Sequence, residues 1–147
     1  MFKTILVPTD GSDLSYRAVN AAIELARTNG GKIIGLSVAE PYPFAALAEA
    51  SSIVAPDPAG YEENMRTLAQ QRVQKIVDAA ALAKVSCETR VALSFDPSDE
   101  IIKAAKDFGC DLIAMASHGR TGLNRLLLGS ETQKVLAHSR IRVLVLR

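Results

Sequence analysis

Five short apolar runs, separated by segments of helical periodicity, constrain the fold of this chain more than any other feature of its 147 residues. Apolar side chains stand at consecutive positions in these runs, as Ile5, Leu6 and Val7 do in the first. Strands of this kind are buried on both faces, as they are in parallel sheets that helices cover. The alternation of strand and helix therefore predicts an α/β fold, a five-stranded parallel doubly wound sheet with helices on both faces.

Glycine, proline and capping residues delimit the predicted elements. The predicted strands span residues 2–7, 32–39, 86–93, 111–116 and 141–146, and the predicted helices span 13–29, 61–84, 97–108 and 130–138. Four prolines interrupt the segment from Glu40 to Gly60, which we expect to be a loop with a helical turn around Ala45 to Ala50. The chain length is that of one domain, so residues 1–147 are expected to form a single one.

Charge and composition exclude several classes of function. The net charge is +1, with 17 basic residues scattered among 16 acidic ones, and aromatic residues make up 5%. A nucleic-acid partner, which needs a basic face or stacking aromatics, is therefore not expected. The first apolar stretch is too short for a signal peptide, and no run reaches the ~18 apolar residues of a membrane span, so we expect no membrane contact and a cytoplasmic location.

The two cysteines do not indicate a metal or redox site. Cys87 and Cys110 form no Cys-x-x-Cys pair, and no histidine or acidic cluster has metal-ligand spacing. Both fall in apolar, strand-like runs. We therefore interpret them as reduced thiols of the core.

Two polar, glycine-containing loops follow the carboxyl ends of predicted strands. Pro8 to Ser12 follows the first strand, and Ser117 to Gly122 follows the fourth. In open parallel sheets, ligands bind beyond the carboxyl ends of the strands, at the point where the strand order reverses. These two loops are therefore the predicted site.

The second loop has features of an anion site. It leads to Gly129 and Ser130, and Ser130 with Gln133 has capping-box spacing, which predicts Ser130 as the N-cap of the last helix. A glycine before a helix lets a phosphate approach the free N–H groups. Gly119 and Gly122 could form a nest, and His118, Arg120 and Arg125 are candidate donors. The alternative interpretation makes the glycines plain turn residues and Ser130 a cap only.

Other phosphate and catalytic signatures are absent from the sequence. It contains no Gly-x-x-x-x-Gly-Lys-Ser/Thr, no Gly-x-Gly-x-x-Gly after a strand and no Gly-x-Ser-x-Gly. His118 has no evident orienting partner. We assign no catalytic residue.

The two loops resemble those of universal stress proteins. Ile5 to Ser12 is similar to the opening of that family, and Ser117-His118-Gly119, nine residues and Gly129-Ser130 resemble its nucleotide motif, Gly-x-x-Gly-x9-Gly-Ser/Thr. A closing apolar strand, here Val143 to Leu146, is also typical. The resemblance covers the whole chain. It implies an adenine nucleotide alpha-hydrolase-like, Rossmann-like fold and a stress-response module that binds ATP or AMP, with Mg²⁺ accompanying the triphosphate.

The resemblance also implies roles for individual residues. Asp10 and the backbone near Pro8 and Thr9 would meet the adenine and ribose, and Val38 would pack against the adenine. Met115 to Gly119 would run under the ribose and phosphates, and Gly129 and Ser130 would hold the phosphates. The implied nucleotide-binding set is Pro8, Thr9, Asp10, Val38, Met115, Ala116, Ser117, His118, Gly119, Arg120, Gly129 and Ser130. A homodimer through the last strand, Arg142 to Leu146, is also implied.

The chain departs from the family pattern at two places, and two other functions stay open. Ala116 replaces the first motif glycine, which favours a member that binds no nucleotide and acts through dimerisation and partners. Arg140-Ile141-Arg142 stands where many members have Cys-Pro. The run Asp10 to Ser15 faintly resembles the loop of ATP-pyrophosphatase-type enzymes, although it lacks their second glycine.

Overall fold

The computed structural model describes residues 1–49, 57–120 and 127–147. In chain order its elements are β1 (Thr4–Pro8), α1 (Asp13–Asn29), β2 (Lys32–Ala39), α2 (Phe44–Glu49), α3 (Pro58–Leu82), β3 (Ser86–Leu93), α4 (Pro97–Asp107), β4 (Leu112–Ala116), α5 (Ser130–His138) and β5 (Arg142–Leu146). Every predicted strand and helix is present. The helical turn expected around residue 45 is α2, while residues 50–56 of the expected loop lie outside the described part.

The five strands form one sheet in the order β3-β2-β1-β4-β5, and every neighbouring pair is parallel. Helices α1 and α3 pack on one face, and α4 and α5 pack on the other. The predicted doubly wound sheet is confirmed. The chain leaves β1 toward β2 and leaves β4 toward β5, in opposite directions, so the strand order reverses between β1 and β4.

The core extends over both faces of the central strand β1. Leu6 pairs in register with Ile34 of β2 and with Ile113 of β4, and all three side chains are fully buried in the layer beneath α4 and α5. Ile5 and Val7 face the other layer, with α1 and α3. The consecutive apolar residues of β1 thus serve two cores, which explains why its sequence does not alternate.

Some predicted boundaries were wrong for local reasons. Phe2 has a left-handed φ of 59°, so pairing in β1 begins only at Thr4. Helix α3 starts at Pro58 rather than at residue 61, because the Asp57 carboxylate accepts hydrogen bonds from the N–H groups of Ala59 and Gly60 at 3.2 Å. With 25 residues α3 is the longest helix. No helix in the described ranges is apolar and long enough to cross a membrane.

The two cysteines differ in burial and location, although the sequence predicted both to be thiols of the core. Cys110 is buried but lies between α4 and β4 rather than in a strand, and Cys87 is only half-buried, because β3 is an edge strand. Burial raises the pKa of the Cys110 thiol to about 11 and also raises the pKa of Cys87.

We expect both thiols to react slowly with iodoacetamide at about pH 8, and Cys110 more slowly than Cys87, because the thiolate is the reactive species. Mass spectrometry of the native chain over time measures this, with the urea-unfolded chain as the control. Alkylation of native Cys110 at the unfolded rate would contradict the prediction.

Candidate functional site

A cleft of ≈ 490 Å³ opens at the carboxyl edge of the sheet, where the loops after β1 and β4 diverge. Eleven of the twelve predicted site residues line it; Ser117 does not. Strand ends and the first loop contribute Pro8, Thr9, Asp10, Val38, Met115 and Ala116, and the β4 loop and α5 contribute His118, Gly119, Arg120, Gly129 and Ser130. The predicted nest residue Gly122 and the candidate donor Arg125 lie outside the described residues. The structure therefore brings together two loops that are more than a hundred residues apart in sequence.

Polar side chains fix the loop after β1 from within. The hydroxyls of Thr9 and Ser15, both buried, lie 2.8 Å apart, and Thr9 Oγ1 also accepts a hydrogen bond from the Gly11 N–H at 3.1 Å. Ser12 caps α1 by accepting from the Ser15 N–H at 3.2 Å. Because these buried polar groups satisfy one another, the loop has a defined shape before any ligand arrives.

The Asp10 carboxylate joins the two loops. Its Oδ1 accepts from the Ser12 N–H at 3.0 Å, and its Oδ2 accepts from the Arg120 N–H at 2.6 Å. Burial by itself would raise the pKa of Asp10, but the hydrogen bonds from Ser12 and Arg120 outweigh it and hold that pKa below its ordinary value. Asp10 is therefore ionised at neutral pH.

We expect the free energy of unfolding to fall less on acidification in Asp10→Asn than in the wild type. The folded pKa of Asp10 is lower than its unfolded value, so the stabilisation is fully present above about pH 4 and is lost as the pH falls through the folded pKa. Urea unfolding of both proteins from about pH 7 to about pH 3 measures the difference. Asp13→Asn controls for removal of a carboxylate nearby. Parallel acid profiles for the wild type and Asp10→Asn would refute the expectation.

Gly119 passes directly against the Asp10 carboxylate. A Cβ at this position would lie 2.5 Å from Asp10 Oδ2, a distance that real Cβ atoms do not reach. The glycine is therefore required by close approach, which is also what lets the next residue, Arg120, donate to Asp10. The sequence indicated that Gly119 matters, but as part of an anion-binding nest rather than for this contact.

Gly129 makes a second close approach within the same cleft. Its N–H donates to the Ser117 carbonyl at 2.8 Å, and a Cβ on Gly129 would lie 3.1 Å from the His118 Cα. Ser117 itself does not line the cleft; its N–H donates to the Leu146 carbonyl at 2.7 Å, and its hydroxyl lies 3.0 Å from His118 Nδ1. Ser117 therefore holds the loop, whereas its neighbours face the cavity.

The first turn of α5 points free N–H groups at the cleft. The predicted capping box is wrong: Gly129, with φ −60° and ψ 151°, is the N-cap, Ser130 is already helical, and no side chain caps the helix. The Gln133 amide instead donates to the Leu128 carbonyl at 2.6 Å. No described residue accepts a hydrogen bond from the N–H of Ser130, Glu131 or Thr132. A helix start of this kind attracts an anion.

Apolar side chains form the opposite wall of the cleft. Leu36 and Val38 come from β2, Ile101 from α4 and Met115 from β4. Ala116 lies beside them in regular β4 pairing, opposite Leu146, and has no positive φ. Its methyl group therefore causes no backbone strain, so the replacement of the motif glycine leaves the cleft open.

Three carboxylates and one guanidinium are the charged groups that line the cleft within the described residues: Asp10, Glu40, Glu131 and Arg120. Glu131 is already engaged, because it accepts from the Ser98 N–H at 2.8 Å and pairs with Lys134 at 3.1 Å. Across residues 1–49, 57–120 and 127–147, no group of three His, Cys, Asp or Glu side chains could hold a metal ion by itself.

Sequence reasoning missed seven further residues that line the cleft. These are Ser15, Leu36, Glu40, Pro97, Ile101, Glu131 and Thr132. Pro97 opens the helix after β3, so its place at the carboxyl edge of the sheet could have been inferred from the topology. The buried Thr9–Ser15 contact has no such signal, because it depends on side-chain direction.

Comparison with known proteins gives a consistent result. A model of the universal stress protein family matches residues 1–147. A universal stress protein of Thermus aquaticus is 33% identical over 147 residues, which cover 100% of both chains. The solved structure of MJ0577 from Methanocaldococcus jannaschii is similar with a TM-score of 0.83 and 27% identity, covering 99% of this chain and 96% of that one. A universal stress protein solved in complex with cAMP has a TM-score of 0.66 and 25% identity, covering 99% and 97%.

Proposed function

Because this chain belongs to the universal stress protein family, we propose that it binds an adenine nucleotide, ATP or AMP, in the cleft between β1 and β4. One observation carries the proposal: the cleft combines an apolar wall with an uncapped helix start at the point where strand order reverses. A nucleotide has the matching chemistry, because a flat, largely apolar base is joined to an anionic phosphate chain. The cAMP complex of a structural relative supports the choice of adenine.

We place the base at the apolar wall, between Val38 and the backbone of Pro8 and Thr9. The Thr9 N–H is already used by the Leu36 carbonyl at 2.8 Å, so the base is held by shape and by apolar burial. We place the ribose at Asp10, with its hydroxyls donating to the carboxylate. Each of its oxygens accepts one backbone hydrogen bond and keeps a lone pair that a ribose hydroxyl can use.

We place the phosphates at the start of α5, on the N–H groups of Ser130 to Thr132. Gly129 leaves room for them, and the helix dipole favours their charge. Met115, Ala116 and Gly119 line the passage from the ribose, and His118 and Arg120 stand at its side. The described residues of the cleft therefore offer a place for the base, the ribose and the phosphates.

A triphosphate would bring Mg²⁺, which suits this cleft. Mg²⁺ keeps several waters and is held mainly by phosphate oxygens, so it needs no cage of protein carboxylates. Asp10 is the ionised side chain nearest the proposed ribose and could orient one of those waters. Mg²⁺ would neutralise part of the phosphate charge, while the residues of the cleft would position the nucleotide.

We propose a regulatory role in the cytoplasm for residues 1–147 as one domain, with nucleotide occupancy as the signal. Among the described residues of the β4 loop, His118 is the candidate base, and its Nδ1 lies 3.0 Å from the Ser117 hydroxyl. Such a histidine lacks the orienting partner of an efficient base. The function is therefore binding, with at most slow hydrolysis.

Calorimetric titration of nucleotide-free protein with ATP and Mg²⁺, AMP, adenosine and GTP tests the proposal. Mass spectrometry first establishes that no nucleotide has copurified. We expect saturable binding of ATP or AMP, weaker binding of adenosine and little binding of GTP. A flat titration with every adenine compound would exclude the proposal and favour the alternative that acts through partners alone.

Variants at Ser130 locate the phosphates. Ser130→Glu places a carboxylate where the phosphates would sit, although a glutamate there suits the helix dipole and preserves folding. We expect it to weaken ATP binding by about a hundredfold, equivalent to about 2.7 kcal/mol. Ser130→Ala removes the hydroxyl and keeps the N–H, so its affinity should stay within about threefold. Asn20→Glu, exposed on α1, controls for the added charge.

We propose homodimerisation through β5 as a second function, favoured by its place at the sheet edge. Within the described residues, β5 pairs with β4 alone, and Leu144 is 39% exposed. An edge with an exposed apolar residue is suited to a second copy. Sedimentation of the wild type and of Leu144→Lys tests this: loss of a dimer in the variant supports it, and a monomeric wild type excludes it.

A further inference from the structure

A second, smaller cavity lies next to the nucleotide cleft, between the loop after β1 and helix α3. It measures ≈ 280 Å³ and shares Asp10 and Arg120 with the cleft. Its remaining walls come from Gly11, from Tyr16 of α1 and from one face of α3 that carries Arg72 and Lys75. None of these α3 residues lines the nucleotide cleft, so the two cavities present different chemistry.

The charges of the two cavities have opposite signs. The second cavity is lined by Arg72, Lys75 and Arg120 against Asp10 alone, a formal net charge of +2. Among the described residues of the cleft, Arg120 stands against Asp10, Glu40 and Glu131, a formal net charge of −2. Side-chain charge therefore attracts a free anion to the second cavity, whereas in the cleft the attraction for an anion comes from the backbone N–H groups at the start of α5.

Arg72 is the central cation of this cavity. Its side chain is half-buried, and no described carboxylate lies within ion-pair distance of it. Burial lowers the pKa of Arg72, and the charge of Arg120 lowers it further, beyond what Asp10 restores. A guanidinium that is desolvated next to a second guanidinium lacks a counter-ion, and an anion would supply it.

Specific contacts hold the side chains that line this cavity in place. Gly11 has a φ of 85°, and a Cβ there would lie 2.8 Å from Arg72 Nε, so the glycine lets the guanidinium lie against the loop. Tyr16 organises the other side: its hydroxyl donates to the Arg72 carbonyl at 3.5 Å, and Lys75 Nζ stands 5.3 Å from its ring centroid. Two α3 cations are thereby held toward one space.

We propose that this cavity is a second anion site that takes a phosphate group, with Arg72 and Arg120 as planar donors and Lys75 as a point charge. Arginine pairs match phosphate geometry, and lysine adds charge without direction. The phosphate is either a free ion or ester, or the terminal phosphate of a nucleotide that occupies the cleft. The site itself stands without the nucleotide, because Arg72 and Lys75 do not contact the cleft.

Nuclear magnetic resonance with inorganic phosphate tests the proposal. Nucleotide-free protein is titrated with sodium phosphate against sodium chloride at constant ionic strength, and the Gly11 amide and the Arg72 Nε–H resonances are followed. We expect both to shift and saturate with phosphate. Arg72→Gln should weaken phosphate binding at Gly11 by about tenfold, and Lys75→Gln by about threefold.

Arg66→Gln is the matched control, because it removes the same charge from an exposed position of the same helix. Its phosphate affinity should remain within about twofold of the wild type. Unshifted Gly11 and Arg72 resonances, or an equal loss in Arg66→Gln and Arg72→Gln, would overturn the proposal. Since Lys75 is exposed, Lys75→Gln retains the test even if Arg72→Gln folds poorly.

Adding ATP or adenosine identifies the source of the phosphate. Displacement of inorganic phosphate by ATP but not by adenosine supports a site that receives the nucleotide's own phosphate. Phosphate binding that persists beside saturating ATP supports a site for a separate anion. If ATP fails to bind at all, the nucleotide proposal fails, while the phosphate titration still decides the anion site.

Discussion

Gly119→Ala is expected to lower ATP affinity by at least about a hundredfold, the largest effect of a single added methyl group among the described glycines. The added Cβ would lie 2.5 Å from Asp10 Oδ2, so either the carboxylate or the loop after β4 must move. Either movement breaks the 2.6 Å hydrogen bond from the Arg120 N–H and shifts the proposed ribose and phosphate contacts together. Calorimetric titration with ATP and Mg²⁺ measures the loss.

Two further variants separate this contact from a general effect of alanine. Gly60→Ala, in the first turn of α3, places its Cβ 3.3 Å from Asp57 Oδ2, and Gly60 lines neither cavity, so the ATP affinity of this variant should match that of the wild type. Asp10→Ala combined with Gly119→Ala removes the clashing carboxylate. The double variant should recover stability relative to Gly119→Ala alone, without recovering ATP binding. Unchanged ATP binding in Gly119→Ala would contradict the proposed position of the ligand.

Leu6→Ala is expected to lower the free energy of unfolding by about 3 kcal/mol, the largest loss of stability among the substitutions considered. Leu6 is fully buried in the central strand, between Ile34 and Ile113 of the neighbouring strands. Strands on both sides fix the backbone here, so the cavity cannot collapse readily. Urea unfolding followed by circular dichroism measures the change in the transition midpoint.

Leu82→Ala is the matched control for the loss of a leucine. Leu82 is the last residue of α3 and is 88% exposed, so its truncation should change the free energy of unfolding by no more than about 0.5 kcal/mol. Equal losses in Leu6→Ala and Leu82→Ala would mean that β1 is not the centre of the core.

The fold could be predicted from the sequence because the local residue pattern identifies each strand. Consecutive apolar residues mark the buried strands β1, β2 and β4, and the predicted and observed bounds of α1, β2, β3 and α5 are identical. The expectation of burial on both faces was wrong for β3 and β5, which contain no fully buried residue because they lie at the edges of the sheet. The predicted bounds of an element were wrong where a single residue determines where the element begins. The Asp57 cap lengthens α3, and the left-handed φ of Phe2 shortens β1.

The location of the candidate site could be predicted from the sequence, but the hydrogen bonds within it could not. The topology brings the carboxyl ends of β1 and β4 together, so any polar loop after them was a reasonable candidate. The bond between Asp10 and the Arg120 N–H spans 110 residues and has no local pattern. Ser130 was predicted as a cap because its spacing to Gln133 fits a motif, whereas the glycine before it fulfils that role.

The position of Asp10 and Arg120 in the walls of both cavities has a thermodynamic consequence. A ligand in either cavity that changes the position of one of these residues also changes the free energy of binding in the other. Such coupling is reciprocal: the factor by which phosphate alters ATP affinity must equal the factor by which ATP alters phosphate affinity. With both proposed ligands, the occupancy of each cavity would depend on the concentrations of two solutes rather than of one.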